Sequence, residues 1–383
     1  MVTVKKILGQ TKPLKTIDRI IRLGKRGQAI LLTGCPGIGK FAMAVHMAYR
    51  FLCQDDNKGC GKCSSCRSIS NFNHPDFLLV FPFPNISPES KRNTVFHFSD
   101  SVSSGARYSN ETLDEVNRFL AEKSADPYRI VSFSKKGNIP VEVVKDLIRA
   151  ISKRPMLGER RAVVVCDIDQ MAFGAADLFL KTVEEPPEDS LVIITSSKTH
   201  VLLPTLLSRT LKIPLNPVSD DLIKSYLEKQ GIDGSHDFYI RFSSGSPGLA
   251  LKAYEDDLVE RRDKLWKIVA EFIEKQSLTN TIEALQRRYQ KPDYDAVRND
   301  FNILEKILRD IYILKFGLEK KLINIDIKDR IKTVARVAPS TGALRRWFKI
   351  LAKASRVHGV NNVSADIAFI GMFIEFWRMK DLH

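Results

Sequence analysis

Ala29-Ile30-Leu31-Leu32-Thr33-Gly34-Cys35-Pro36-Gly37-Ile38-Gly39-Lys40-Phe41 is the stretch that decides the fold. An apolar run that reads as a strand feeds a glycine-rich turn. In such a turn the backbone N–H groups and the following helix N-terminus surround phosphate oxygens, while a lysine adds a point charge. Gly34, Gly37, Gly39 and Lys40 are all in place. The next residue is normally Ser or Thr, whose hydroxyl holds Mg²⁺; Phe41 stands there and can ligate no metal. The loop is expected to hold a phosphate and to be poorly built to cleave one.

The surrounding 383 residues exceed one ordinary core, so two or three domains are expected. Content of 44% hydrophobic and 27% charged residues describes a soluble globular chain. No run approaches the ~18–20 apolar residues that span a bilayer, and Met1-Val2-Thr3-Val4-Lys5-Lys6 lacks the apolar core of a secretion signal. A cytoplasmic, nucleoid-associated location with no membrane partner is expected. The net charge of +15 favours work near a polyanion, yet the basic residues are spread along the chain, so charge alone leaves a solvated surface and direct nucleic-acid contact equally open.

Four of six cysteines fall together as Cys53, Cys60, Cys63 and Cys66, with Gly59, Gly61 and Lys62 between them. Two-residue gaps let successive thiolates point at one ion, and small residues make the tight turns, so a closed structural Zn²⁺ site is expected. A disulfide framework fits a cytoplasmic chain poorly, and a redox Cys-x-x-Cys needs no third and fourth partner. Cys35 and Cys166, beside apolar strands, read as buried small hydrophobes.

Farther along, Phe77–Phe81 reads as a strand, and 82–127, rich in Ser, Asn and charge, as an insertion with one helix near 110–123. Val141, Val144, Leu147, Ile148 and Ile151 recur at helical spacing. The run 160–167 is a strand ending in an acid, 170–185 an amphipathic helix closed by Pro186-Pro187, and 191–195 another buried strand. Alternating strands and helices with a phosphate loop after the first predict an α/β domain with a parallel sheet, its ligand at the strand C-terminal ends. After Leu215 the pattern is helical throughout, with a break at Gly245-Ser246-Pro247-Gly248 and a bundle from about 257.

In an ATPase of this architecture the acid ending the later strand serves the metal, and an adjacent Glu orients the attacking water. Asp167 fits the first role. Ile168 occupies the second, and an aliphatic chain cannot position water. Asp169 reads as a helix cap or surface acid.

At this point the sequence resembles a known family, the AAA+ subunits of the bacterial DNA polymerase III clamp loader, most closely those of delta-prime type. The resemblance rests on order and spacing: Gly9-Gln10, Gly34 to Lys40, the four cysteines with His74-Pro75-Asp76, then Ile139-Pro140-Val141-Glu142. Asp167-x-Asp169-x-Met171, Ala175-Ala176 through Glu184-Glu185-Pro186-Pro187, and Leu203-Pro204-Thr205-Leu206-Leu207-Ser208-Arg209 follow. It covers about residues 1–255 and continues more faintly through Leu308-Arg309-Asp310 and Asn361-Asn362-Val363.

The resemblance implies an AAA+ P-loop domain over 1–215, with the zinc module at 53–66 and the insertion at 82–127. An all-α lid over 216–256 and an all-α collar over 257–383 complete the subunit. It further implies a five-membered assembly with gamma/tau-like ATPase subunits and a delta-like subunit, acting on a sliding clamp and primed DNA. In the motor subunits a Ser-Arg-Cys motif sends an arginine to the neighbour's ATP; here Ser208-Arg209-Thr210 retains the arginine, and such a finger is worth ~10³–10⁵ in rate. An ordinary surface arginine is the other reading. The lid arginine that reads the γ-phosphate is replaced by Gly248. With Phe41 and Ile168, three losses leave little hydrolysis and imply a stator, although the retained loop and Lys40 leave ATP or ADP binding open. Two rival readings are an active gamma/tau-like motor subunit and a zinc-stabilised DNA-binding module with a vestigial nucleotide fold.

Overall fold

The computed structural model of the chain describes residues 7–22, 27–55, 59–84, 110–134, 137–232, 234, 236–290, 294–361 and 363–379. Thr11–Arg22 forms α1, Gln28–Thr33 β1, Lys40–Leu52 α2, Ser64–Ser70 α3 and Phe77–Val80 β2. Phe83–Pro84 (β3) pairs antiparallel with Gly137–Asn138 (β4), and Asn110–Ala125 forms α4 between them. Val141–Ile151 is α5, Arg161–Val165 β5, Ala175–Glu184 α6, Ser190–Ser196 β6, Pro204–Arg209 α7 and Leu211–Pro214 β7. Contacts divide the chain into two compact units, one of Met1–Tyr226 with Gly245–Leu249, the other of Leu227–Ser244 with Ala250–His383.

The first unit is built on a five-stranded parallel sheet in the order β2-β5-β6-β1-β7. β5 and β6 are buried along their whole length, as the unbroken apolar runs require of parallel strands covered on both faces. Register sets where the loops lie. Thr33 pairs with Ser196 and Val165 with Ile194, so the turns leaving β1, β5 and β6 emerge side by side at one edge of the sheet.

One expected element is divided. The helix read over 170–185 is a short 3₁₀ turn, Ile168–Gln170, followed by an extended stretch and then α6. Ile139 pairs with this stretch, its N–H donating to Gln170 O at 3.1 Å and its carbonyl accepting from Ala172 N at 2.9 Å. The strand-like pairing claims backbone groups that the helix would have used, and Gly174, at φ 78°, restarts the helix. The expected helix in the insertion is present as α4, and residues 85–109 lie outside the described residues.

The second unit is helical. Leu258–Lys275, Leu278–Arg288, Tyr294–Leu314, Lys328–Val337, Thr341–Asn361 and Ala365–Arg378 enclose a core in which Trp347 stacks on Phe376 and Phe301 on Phe369. Two fully buried carboxylates cross-link it. Asp300 accepts from Arg261, Arg288 and the Tyr289 hydroxyl. Asp310 accepts from the backbone N–H groups of Ile323 and Asn324 at 3.0 and 2.7 Å and from Asn324 Nδ2 at 2.8 Å. Buried charges of this kind persist only where such donors meet them.

Candidate functional site

The glycine loop leaves β1 and turns into α2 through Gly37 and Gly39, whose φ values of 71° and 107° are ones a side chain resists. Lys40, the first residue of α2, bends back over the loop. Its Nζ donates to the carbonyls of Gly34 and Cys35, both at 2.9 Å, and to Ser197 Oγ at 2.8 Å. All three ammonium hydrogens therefore have acceptors in the chain itself. Burial lowers the Lys40 pKa, opposed chiefly by the charge of Asp167. Ser197 was not among the residues singled out from sequence. Its signal is positional, since it follows directly after β6, the neighbour of β1.

Asp167 takes a left-handed backbone, φ 47° and ψ 56°, and its N–H donates to Thr195 Oγ1 at 2.9 Å. Burial raises its carboxyl pKa and Lys40 pulls it down, so the pair sit within electrostatic reach. Gly34, Gly37, Gly39, Lys40 and Asp167 are thus brought to one place, as the sequence pattern required. Ile168 is buried and presents no acid. Asp169 is half-buried, and its Oδ1 accepts from Ser196 Oγ at 2.7 Å and Ser197 N at 3.2 Å, tying the turn after β5 to the end of β6 rather than capping a helix.

Where a metal-holding hydroxyl would stand, the Phe41 ring is 8% exposed and packs edge-on to Phe72 and Phe119, with centroids 6.0 and 6.3 Å away. Lys123 of α4 places its Nζ 4.8 Å from the Phe41 centroid and donates to Arg129 O at 2.6 Å. Burial brings the Lys123 pKa down to about 8. Cys166 is buried as expected, and burial pushes its thiol pKa up. Cys35 is not: it lies on the exposed crest of the loop, past the end of β1, and the buried reading of it is corrected.

The Sγ atoms of Cys53, Cys60, Cys63 and Cys66 lie within 4.8 Å of one another. Four thiolates about 2.3 Å from a tetrahedral ion are separated by about 3.8 Å, so small side-chain adjustments close the set around one metal. Backbone N–H groups already aim at the sulfurs: Cys60 N and Asp55 N at Cys53, Lys62 N and Cys63 N at Cys60, Cys66 N at Cys63, at 3.3–3.5 Å. Those donors lower the Cys60 pKa to about 7. His74 braces the module, its Nε2 3.2 Å from Ser65 Oγ and its Nδ1 accepting from Asp76 N at 3.0 Å.

Arg209 ends α7, held there by buried Leu206 and by Thr210 Oγ1 donating to Leu206 O at 2.9 Å. Its side chain is 42% exposed, and its Nε lies 3.0 Å from Glu184 Oε1 at the end of α6. Gly248 sits against the glycine loop, its N–H donating to Gly37 O at 3.0 Å. A β-carbon there would lie 2.2 Å from the Tyr128 carbonyl oxygen, so this position has no room for any side chain.

A parallel sheet with a lysine-bearing glycine loop after β1 and an acid after β5 defines a protein of the P-loop nucleotide-fold class. Within that class, residues 9–219 match the family described as DNA polymerase III, delta subunit. The chain belongs to this family of clamp-loader subunits, and its relatives include delta-prime and tau subunits. The delta-prime subunit of Bacillus subtilis (strain 168) is 22% identical over 96% of each chain. That of Escherichia coli (strain K12) is 24% identical over 64% of this chain and 60% of its own. The delta-prime subunit of Buchnera aphidicola subsp. Schizaphis graminum is 25% identical over 92% of each. Among the described residues no helix is long and apolar enough to cross a membrane.

Proposed function

We propose that the chain is the stator of a clamp loader: it hydrolyses ATP poorly or not at all and lends Arg209 to the ATP of a neighbouring gamma/tau-like subunit. With a delta-like subunit the assembly then opens a sliding clamp and places it on primed DNA. The observation that carries this reading is the placing of Arg209. It is an exposed guanidinium at the end of a helix, held among the described residues by one half-exposed carboxylate, Glu184, in a chain whose own metal and water positions are taken by Phe41 and Ile168. A surface pair of this kind is worth ~0.2–1 kcal/mol, little enough for a nucleotide phosphate to draw the arginine away. In this reading 216–256 is a lid and 257–383 a collar that holds the subunits together.

Cys53, Cys60, Cys63 and Cys66 hold a structural Zn²⁺ in the same proposal. The ion would cross-link the end of α2 to α3, with no open position for catalysis. The test of the stator role is Arg209→Ala in a complex reconstituted with the chain's own partners. Assembly is expected to persist while DNA-stimulated ATP turnover falls; an unchanged rate rejects the role.

A further inference from the structure

The segment between β3 and β4, which is the 82–127 insertion and the residues that follow it, takes no part in that proposal, yet its described half reaches the glycine loop. Tyr128, which follows α4, is buried, and its ring lies on Gly39: a β-carbon there would sit 2.5 Å from Tyr128 Cε1. The Tyr128 hydroxyl accepts from Leu8 N at 2.8 Å, in the segment leading to Gly9-Gln10. Its own N–H donates to Asp126 Oδ1 at 3.1 Å, and Asp126 Oδ2 accepts from the Tyr226 hydroxyl at 2.5 Å. The second loop glycine is covered as well, since a β-carbon on Gly37 would lie 2.9 Å from Ile130 Cδ1 and 2.7 Å from Leu249 N. Ser246 Oγ donates to Pro36 O at 2.7 Å.

Bare glycines in such a loop let a phosphate approach the backbone. Here that bare surface is filled by the chain. The charges are matched internally too. Lys123, over Phe41, interacts with Asp167, and Lys40, its three hydrogens held by Gly34, Cys35 and Ser197, interacts with Asp167 and Asp169.

We propose that the segment between β3 and β4 is an internal ligand of the phosphate loop: Tyr128 and Ile130, just past the insertion, cover the glycines, Lys123 of the insertion supplies beside Phe41 the positive charge a metal would bring, and the folded chain thereby excludes magnesium-bound nucleoside di- and triphosphates. The inference concerns the chain's own loop and leaves Arg209 untouched, so either proposal stands if the other fails.

The test titrates the full chain and Tyr128→Ala with fluorescent ADP and ATP analogues in Mg²⁺. The unaltered chain is expected to show no saturable binding up to about 1 mM, and the variant to bind at least about tenfold more tightly. Micromolar binding by the unaltered chain overturns the proposal, and so does a folded Tyr128→Ala protein that still binds nothing. Should the alanine variant fail to fold, Tyr128→Leu, which keeps an apolar side chain but places no ring on Gly39, is read by the same criteria.

Discussion

Gly248→Ala puts the packing around the phosphate loop to a test of sign. Gly248 is the second residue of the helix Pro247–Glu255, and in an open helical position alanine is favoured over glycine by ~0.5–1 kcal/mol. The local surroundings oppose this. The new β-carbon would lie 2.2 Å from the Tyr128 carbonyl oxygen, 2.9 Å from Gly37 Cα and 3.0 Å from Gly37 O, all backbone atoms that no rotamer change can move away. Overpacking of this kind costs ~1–3 kcal/mol and more where backbone must shift, so a net loss of about 1–2 kcal/mol remains after the helical gain. At 2–4 °C per kcal/mol for a body of roughly 150–250 residues, the thermal midpoint falls by about 2–8 °C. Gly371, helical and with nothing within 4 Å of where a β-carbon would stand, is the control, and Gly371→Ala is expected to raise stability by ~0.5–1 kcal/mol. Scanning calorimetry of the two variants beside the parent decides the matter. A Gly248→Ala protein as stable as the parent, or more so, refutes the close approach of Tyr128 and Gly37 to this position.

Protein purified without chelator is expected to carry about one Zn per chain by elemental analysis, falling sharply in Cys60→Ser, with faster amide exchange across 59–70 once the metal is removed; less metal than that in the parent removes the four-thiolate proposal. Asp310→Ala strands the N–H groups of Ile323 and Asn324 in the helical core, and at ~1–3 kcal/mol for each buried donor the loss is about 3 kcal/mol or more in denaturant titration; a loss under about 1 kcal/mol would show that water replaces the carboxylate. Lys123 titrates at about 8 in the folded chain, faced by Cys166, Asp167, Asp126 and Lys40, against ~10.4 when unfolded. Between those values the unfolded chain binds more protons, so stability rises with pH through this window, by up to about 3 kcal/mol. Lys123→Met is expected to flatten that rise, and identical pH profiles for the two proteins would place the ammonium in water instead.

The strands and the loop were legible because parallel strands covered on both faces must be continuously apolar, and because a phosphate loop needs glycine at fixed spacing. The sheet order was not, since pairing β1 between β6 and β7 depends on contacts far apart in sequence. The misread elements fail for the same reason. The helix expected from 170 is interrupted by Ile139, some thirty residues earlier, and Asp169 is claimed by Ser196 and Ser197 from the adjacent strand. Cys35 follows an apolar strand, but one residue of turn at Gly34 is enough to bring it to the surface. The cysteine cluster needed no distant information: its spacing alone brought four sulfurs together.

The substitutions that looked like separate losses are not independent in the folded chain. Phe41 packs on Phe119 and beneath Lys123, both from α4, and Gly248 abuts the carbonyl of Tyr128, just beyond the same helix. Two positions at opposite ends of the first unit's sequence, 41 and 248, therefore meet one segment, that between β3 and β4. Neighbours sharing a packed site couple by ~0.5–3 kcal/mol, so changing one back to the motor residue is opposed by the others. Phe41→Thr would provide a metal hydroxyl but also empty the space under Lys123 and leave its buried ammonium with less around it. Gly248→Arg would bring a sensor charge into a position closed by backbone. Single reversions at 41 or 248 are therefore expected to lower stability without raising turnover.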